Sequence, residues 1–93
     1  MFPLALFKVH GESMAPSIEP GSYAVVSSLA RPKAGDVVVA RHPFKDMRVI
    51  KRVKQITEGR YFLEGDNKDA SNDSSTFGTV DRNAILGKVL FVL

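Results

Sequence analysis

One serine of this chain stands where it could act as a nucleophile. Ser13 lies in the segment GESMAP, residues 11–16, in which a glycine precedes it and a proline follows it. These flanking residues predict a sharp turn. Such a turn can present both the hydroxyl and the serine's own backbone N–H, which could hold the oxyanion formed in acyl transfer. The alternative is that Ser13 only caps the turn.

One lysine could supply the base that a serine nucleophile needs. Residues 48–54, RVIKRVK, alternate like a strand, and alternate residues of a strand share a face. Lys51 then lies between two valines on the expected core face. A free lysine has a pKa of about 10.4, and desolvation lowers it towards the neutral form that a base requires. The alternative is a peripheral lysine whose stem packs on apolar surface while its head reaches water. The opposite face, expected to be wet, carries Arg48, Ile50, Arg52 and Lys54.

Short β segments must position these two side chains. The chain is rich in β-branched residues, has turn signals at regular spacing and offers no amphipathic helix longer than about two turns. We therefore predict a mainly β fold, a single small domain of antiparallel strands. Gly87, in the last segment, predicts a bulge or a close approach. The predicted strands are Leu4–Val9, Ser22–Ser28, Asp36–Arg41, Met47–Ile56, Arg60–Glu64 and Ala84–Leu93.

Length and composition exclude several classes of protein. The chain has 93 residues, 44% of them hydrophobic and 25% charged, which fits one folded domain spanning residues 1–93. Cysteine is missing from the sequence, which excludes a disulfide framework, a thiolate nucleophile and the usual structural zinc sites. The acidic segment 66–73 does not fit the EF-hand pattern. We therefore predict no metal and no cofactor.

The net charge and the apolar segments of the sequence indicate which kinds of partner the chain could bind. The net charge of +3 permits an anionic partner without requiring one. The longest apolar run, Met1–Phe7, is too short to cross a membrane, although it could touch a membrane surface. An ordinary first strand is the simpler interpretation of this run.

Four motifs, in chain order, resemble those of the type I signal peptidases. VHGESMAP (9–16) is similar to their serine motif, and GDVVV (35–39) to the strand that follows. IKRV (50–53) is similar to their lysine motif, and GDNKDASNDS (65–74) to their final signature loop. The resemblance covers nearly the whole chain. It implies the mainly β catalytic core that signal peptidases share with LexA-like self-cleaving repressors.

The resemblance also implies the chemistry. Ser13 would attack the scissile carbonyl and form an acyl-enzyme, and neutral Lys51 would take the serine proton and later activate water. In the final signature loop, Ser71 would orient the lysine amine by a hydrogen bond. Asp73 would be a supporting acidic residue of the loop. The resemblance also assigns Asn67 and Gly65, which shape the loop near these side chains. We further expect Met14 and Pro16 to contact substrate.

A subgroup and a substrate follow from the same resemblance. The minimal size and the missing membrane segment make the chain most similar to the nickel-type superoxide dismutase maturation proteases. These proteases remove a leader from the superoxide dismutase precursor. We therefore expect a soluble, cytoplasmic serine endopeptidase whose partner is a precursor polypeptide with an N-terminal leader. Contact of Met1–Phe7 with a membrane surface stays open as a peripheral localisation.

Three other interpretations remain open. The chain could be a general signal peptidase core without its membrane anchor, or the peptidase domain of a self-cleaving repressor. The third is a small β-barrel that binds nucleic acid through basic side chains and stacked rings. We expect no nucleic-acid partner, because the charges fit one solvated strand face and the rings fit a core. The residues of that third interpretation are Arg41, Lys45, Arg48, Arg52 and Lys54, with Phe44, Tyr61 and Phe62.

Overall fold

The computed structural model describes residues 3–69 and 77–93. Within these ranges seven strands form one antiparallel sheet in the order β1-β2-β7-β3-β4-β5-β6. The mainly antiparallel β fold predicted from the sequence is thus confirmed. The strands are β1 (Leu4–Lys8), β2 (Tyr23–Ser27), β3 (Val37–Arg41), β4 (Arg48–Thr57), β5 (Arg60–Glu64), β6 (Val80–Asp81) and β7 (Ile85–Val92).

The strand that escaped prediction is β6. It is only two residues long and pairs with the start of β5, Val80 opposite Tyr61. A strand of two residues is too short to show an alternating pattern. A single 3-10 turn, Arg82–Ala84, follows it and is capped by the Asp81 side chain, which accepts a hydrogen bond of 3.0 Å from the Asn83 N–H.

The longest strand, β4, has two neighbours that it meets along different stretches. Its first half, Arg48–Arg52, pairs with β3, and its second half, Arg52–Thr57, pairs with β5. Among the described residues no strand pairs with Arg48–Lys51 on the side away from β3. Residues 48–50 therefore form an edge of the sheet, the free edge of β4, and the segment that carries Ser13 lies beside it.

Both faces of the central strands are buried. One core cluster contains Val39 and Ile50, and the other contains Val38 and Val53. The expectation that Ile50 faces solvent is wrong, because Val9, Met14 and Ile18 of the segment before β2 fold over that face and Ile50 is only 3% exposed. Alternation separates the two faces of a strand, but it does not say which of them a distant segment will cover.

A close approach between strands explains Gly87. A Cβ placed on this residue would lie 2.5 Å from Cγ1 of Val26 and 2.8 Å from the carbonyl oxygen of Ser27. The approach predicted at this glycine is confirmed. Strands β2 and β7 can pack at this spacing only because β7 has no side chain there.

Replacing Gly87 with alanine is expected to destabilise the protein by about 1–3 kcal/mol, the usual cost of overpacking. The Ser27 carbonyl is backbone and cannot move without displacing β2. Urea unfolding of Gly87→Ala measures the change. Leu90→Ala, an exposed site on the same strand, should stay within about 0.5 kcal/mol. Equal stability of Gly87→Ala and the parent chain would contradict the close packing.

Candidate active site

Ser13 and Lys51 line the same groove. Its volume is about 280 Å³, and its walls come from residues 10–13 and 47–51 with Phe7, His42 and Lys45. Ser13 is half-buried, and Lys51 is 3% exposed. The structure therefore brings together the two side chains whose chemistry the sequence singled out, although they are far apart along the chain.

The predicted turn around Ser13 is held by backbone hydrogen bonds. The Ala15 N–H donates to the Glu12 carbonyl at 3.1 Å, and the Ile18 N–H donates to the Met14 carbonyl at 2.9 Å. The Ser13 hydroxyl itself makes one long hydrogen bond, 3.5 Å, to the carbonyl oxygen of Ile50. That carbonyl belongs to the residue before Lys51, so the turn sets the hydroxyl against the strand that carries the lysine.

Two buried valines lie beside Lys51 on its own face of the sheet. Lys51 is paired in register with Val38, which is fully buried, and Val53 beside it on β4 is also fully buried. The face assigned to Lys51 by alternation is confirmed, and its burial disagrees with a lysine whose head reaches water. Removal from water disfavours the charged form of a lysine. Desolvation is one of the ways in which a protein brings a lysine to the neutral form that a general base requires.

The loop after β5 contacts the serine turn directly. The backbone N–H of Asn67 donates to the carbonyl oxygen of Ser13 at 2.8 Å, and Gly65 is buried. The Asn67 hydrogen bond thus joins this loop to the serine turn. The two other loop positions, Ser71 and Asp73, fall outside the described residues.

The two residues assigned to substrate contact are not on the groove wall. Met14 is 1% exposed and packs in the first core cluster, while Pro16 is exposed outside the groove. The turn points the Met14 side chain inward, towards Val9 and Ile18. Direct contact of Met14 with substrate is therefore corrected to a core role, and the apolar wall is supplied instead by Phe7, Met47 and Val49.

An ion pair that the sequence did not predict joins β4 to the loop after β5. Arg52 Nε and Nη2 donate to the two carboxylate oxygens of Asp66 at 2.9 and 2.8 Å, and Nη1 donates to the Gly35 carbonyl at 2.8 Å. The Arg52 hydrogen bond lowers the pKa of Asp66, and the Ser17 hydroxyl, hydrogen-bonded to the same carboxylate, adds to this. The same bond raises the pKa of Arg52. The pair thus links the strand of Lys51, the loop and the serine turn.

The pKa of Asp66 predicts how stability depends on pH. Because its folded pKa lies below the ordinary value of 3.8, the pair stabilises the fold fully above that value. The contribution is lost as the pH falls through the lower, folded pKa. Asp36 behaves alike, chiefly through the backbone N–H of Lys33 and also through Lys88. We expect Asp66→Asn to lose about 1–2 kcal/mol at pH 7 and to show a shallower acid decline. Identical declines in the two proteins would contradict this assignment.

The basic side chains divide into two groups. Arg52 pairs with Asp66, and Lys54 lies 3.2 Å from the Glu64 carboxylate. Tyr61 is 6% exposed and belongs to the second core cluster, so it cannot stack on a nucleic-acid base. The basic residues left at the surface beside the groove are Arg41, Lys45 and Arg48.

No helix among the described residues has the length and apolar character that a membrane crossing requires.

Comparison with known proteins assigns the chain to a family. Signal peptidase IB of Staphylococcus aureus, in strains Mu50 / ATCC 700699, N315 and MW2, is 37% identical to this chain over 60 residues. That match covers 63% of this chain and 31% of each relative, so the chain aligns with less than a third of their length. The similarity to signal peptidases inferred from the motifs is confirmed. The family model described as Peptidase S24-like matches residues 2–90, and the chain belongs to this family.

Proposed function

We propose that this chain is a Ser/Lys endopeptidase and that residues 1–93 act as one catalytic domain. Ser13 is the nucleophile and Lys51 the general base. The observation that carries the proposal is the shared groove, whose wall includes both the half-buried Ser13 and the buried Lys51. Membership of a peptidase family supports it.

The chemistry runs in two steps that the two side chains share. As Ser13 Oγ bonds to the scissile carbonyl carbon, neutral Lys51 takes the hydroxyl proton, and the Ser13 backbone N–H donates to the oxyanion. The resulting ammonium gives its proton to the leaving amine as the C–N bond breaks, which leaves an acyl-enzyme. Lys51 then takes a proton from water as the water oxygen bonds to the ester carbon. The bond from that carbon to Ser13 Oγ breaks, Lys51 returns the proton to Ser13 Oγ, and the peptide leaves with a free carboxyl end. Ser71 orients the amine in this scheme, and Asp73 supports the loop.

The free edge of β4 supports an extended peptide as the substrate. Among the described residues no strand pairs with residues 48–50 on the groove side, where the Ile50 carbonyl accepts only the long hydrogen bond from Ser13. An extended chain can add to such an edge as a further strand, with main-chain hydrogen bonds for affinity and side-chain pockets for specificity. Phe7, Met47 and Val49 provide apolar surface beside it.

The substrate class in this proposal is a precursor polypeptide with an N-terminal leader, and the specific substrate is the nickel superoxide dismutase precursor. The similarity to Signal peptidase IB supports a leader as the piece removed. The superoxide dismutase precursor rests on the sequence motifs alone.

Incubation with two precursors tests both the peptidase activity and the specific substrate. The protein and its Ser13→Ala variant are mixed with a nickel superoxide dismutase precursor and with a precursor carrying an export signal peptide, and the products are mapped by mass spectrometry. One Ser13-dependent cut at the leader boundary of the first is the expected result. A Ser13-dependent cut only in the second would keep the chemistry and reject the substrate. Cuts that persist in Ser13→Ala would reject the nucleophile.

Contact with a membrane surface is part of the same proposal. Leu6 of β1 and Phe91 of β7 are 61% and 54% exposed, and both pair in register with Val25, so they share a face. Leu4, 51% exposed, lies on the same face of β1. Sedimentation with phosphatidylcholine vesicles is expected to weaken in Leu6→Glu. Equal sedimentation, or none with the parent chain, would reject the contact.

A further inference from the structure

Three cations gather at one end of the β3–β4 hairpin. Arg41 ends β3, Arg48 begins β4, and the two are directly opposite in register. Lys45 lies in the loop between them, and all three side chains are exposed. We call these three residues the hairpin cluster. Like charges directly opposite on a sheet destabilise it, so this placement is costly unless an anion joins it.

The hairpin cluster has no acidic partner among the described residues. The ion pairs found there use Arg52, Lys54, Arg60, Lys68 and Lys88. The Arg48 guanidinium instead lies 5.6 Å from the centre of the Phe7 ring. Two carboxylates are near in the fold, Asp46 in the same loop and Glu12 on the groove wall, and neither forms an ion pair with the cluster.

The hairpin cluster is continuous with the groove. Lys45 and Arg48 both line the cavity that holds Ser13 and Lys51. Arg48, on the free edge of β4, precedes Lys51 by three residues, a separation of about 10 Å in an extended strand. A peptide paired along that edge has the same rise per residue as β4. A side chain about three residues from the scissile bond would therefore reach Arg48.

We infer that this groove selects peptides with an acidic side chain about two to five residues from the scissile bond, held by the hairpin cluster. This inference rests on the proposed peptidase function and names a feature of its substrate. An aspartate or glutamate there supplies the anion that the opposed arginines lack. Its attraction is electrostatic and partly exposed to solvent, so it is worth about 3- to 5-fold and weakens with salt.

An acidic peptide fits the hairpin cluster better than a nucleic acid does. A nucleic-acid strand would need stacking rings beside the charges. Phe44, 78% exposed, is available, but Tyr61 is in the core. The free strand edge in the same groove offers backbone hydrogen bonds that match a peptide.

Matched peptides test the inference. The peptides form matched pairs with alanines around the cleavage site. In each pair, one peptide carries a single glutamate and the other a single glutamine at the same position, two to five residues before or after the scissile bond. The Kd for the Ser13→Ala variant is measured by fluorescence, and kcat/KM is measured with the parent chain. We expect the glutamate peptide to bind and react about 3- to 5-fold better at one side of the cut, with the gain shrinking at high salt.

Charge reversal identifies the residues responsible. Arg48→Glu is expected to remove or invert the preference for glutamate, measured as the ratio of the kcat/KM values of the glutamate and glutamine peptides. Arg48→Gln and Arg41→Glu provide second variants should the reversal impair folding. Arg31→Glu is the matched control, because Arg31 is exposed in the loop between β2 and β3 and makes the same change in net charge.

The outcomes separate the inference from the proposed function. Glutamate preference in binding without any cleavage supports the inference and overturns the function. Ser13-dependent cleavage with equal rates for both peptides at every position overturns the inference alone. Loss of the preference in Arg31→Glu as in Arg48→Glu also overturns it. Tight, salt-dependent binding of single-stranded DNA that displaces the peptide and requires Arg48 would assign the cluster to nucleic acid instead.

Discussion

Ser13→Ala is expected to lower kcat/KM by about 10⁴-fold or more, because it removes the oxygen that attacks the scissile carbonyl. The fold should be unaffected. Backbone hydrogen bonds hold the turn, and the hydroxyl contributes one hydrogen bond at the long distance of 3.5 Å. Cleavage of a fluorogenic leader peptide and urea unfolding measure the two effects on the same preparation.

Ser28→Ala provides the matched control for this prediction. Ser28 is exposed, and its hydroxyl donates to the Pro3 carbonyl at 3.3 Å, outside the groove. The control should retain full activity. Cleavage by Ser13→Ala within about 10-fold of the parent rate would remove Ser13 from the nucleophile role, since loss of a serine nucleophile costs far more than this.

Lys51→Met should abolish cleavage to a similar extent without lowering stability. Methionine has nearly the shape of the lysine side chain and carries no amine, so the base is lost while the apolar contacts with Val38 and Val53 remain. A buried amine must be desolvated, and replacing such a group by an apolar one is often neutral or stabilising. The free energy of unfolding is therefore expected to stay within about 1 kcal/mol of the parent or to rise.

The Lys51→Arg variant tests whether Lys51 acts as a proton acceptor or only as a positive charge. Arginine keeps a positive charge but does not give up its proton in proteins, so it cannot act as the base. We expect this variant to be inactive as well. Substantial activity in Lys51→Arg would mean that the site needs only a cation. A loss of more than about 2 kcal/mol in Lys51→Met would indicate a structural lysine, because breaking a buried polar network costs this much.

The strands and the placement of Lys51 could be predicted because both depend on a period of two. Residues 48–54 alternate clearly, and the alternation puts Lys51 with Val49 and Val53 on one face whatever the neighbouring strands are. The turn at Ser13 could also be predicted, because Gly11 and Pro16 beside it are turn-forming residues. Such features need no knowledge of which segments meet in space.

Apart from β6, which is too short to show an alternating pattern, the features that escaped prediction depend on contacts between distant segments. Ile50 is buried because the serine segment folds over its face, and Met14 is buried for the same reason. The Arg52–Asp66 pair joins residues 14 positions apart, and charge alone could have paired either residue with other partners. The hairpin cluster is a cluster only because β3 and β4 pair in one particular register.

The most direct test of the central claim is the titration of the Lys51 amine by NMR, set beside the pH profile of kcat/KM. With ¹⁵N-labelled lysine, we expect Lys51 to lose its proton well below the pKa of about 10.4 of a free lysine, and the acid limb of the profile to follow that titration. Cleavage at its full rate while Lys51 stays protonated would contradict a neutral lysine as the base for Ser13.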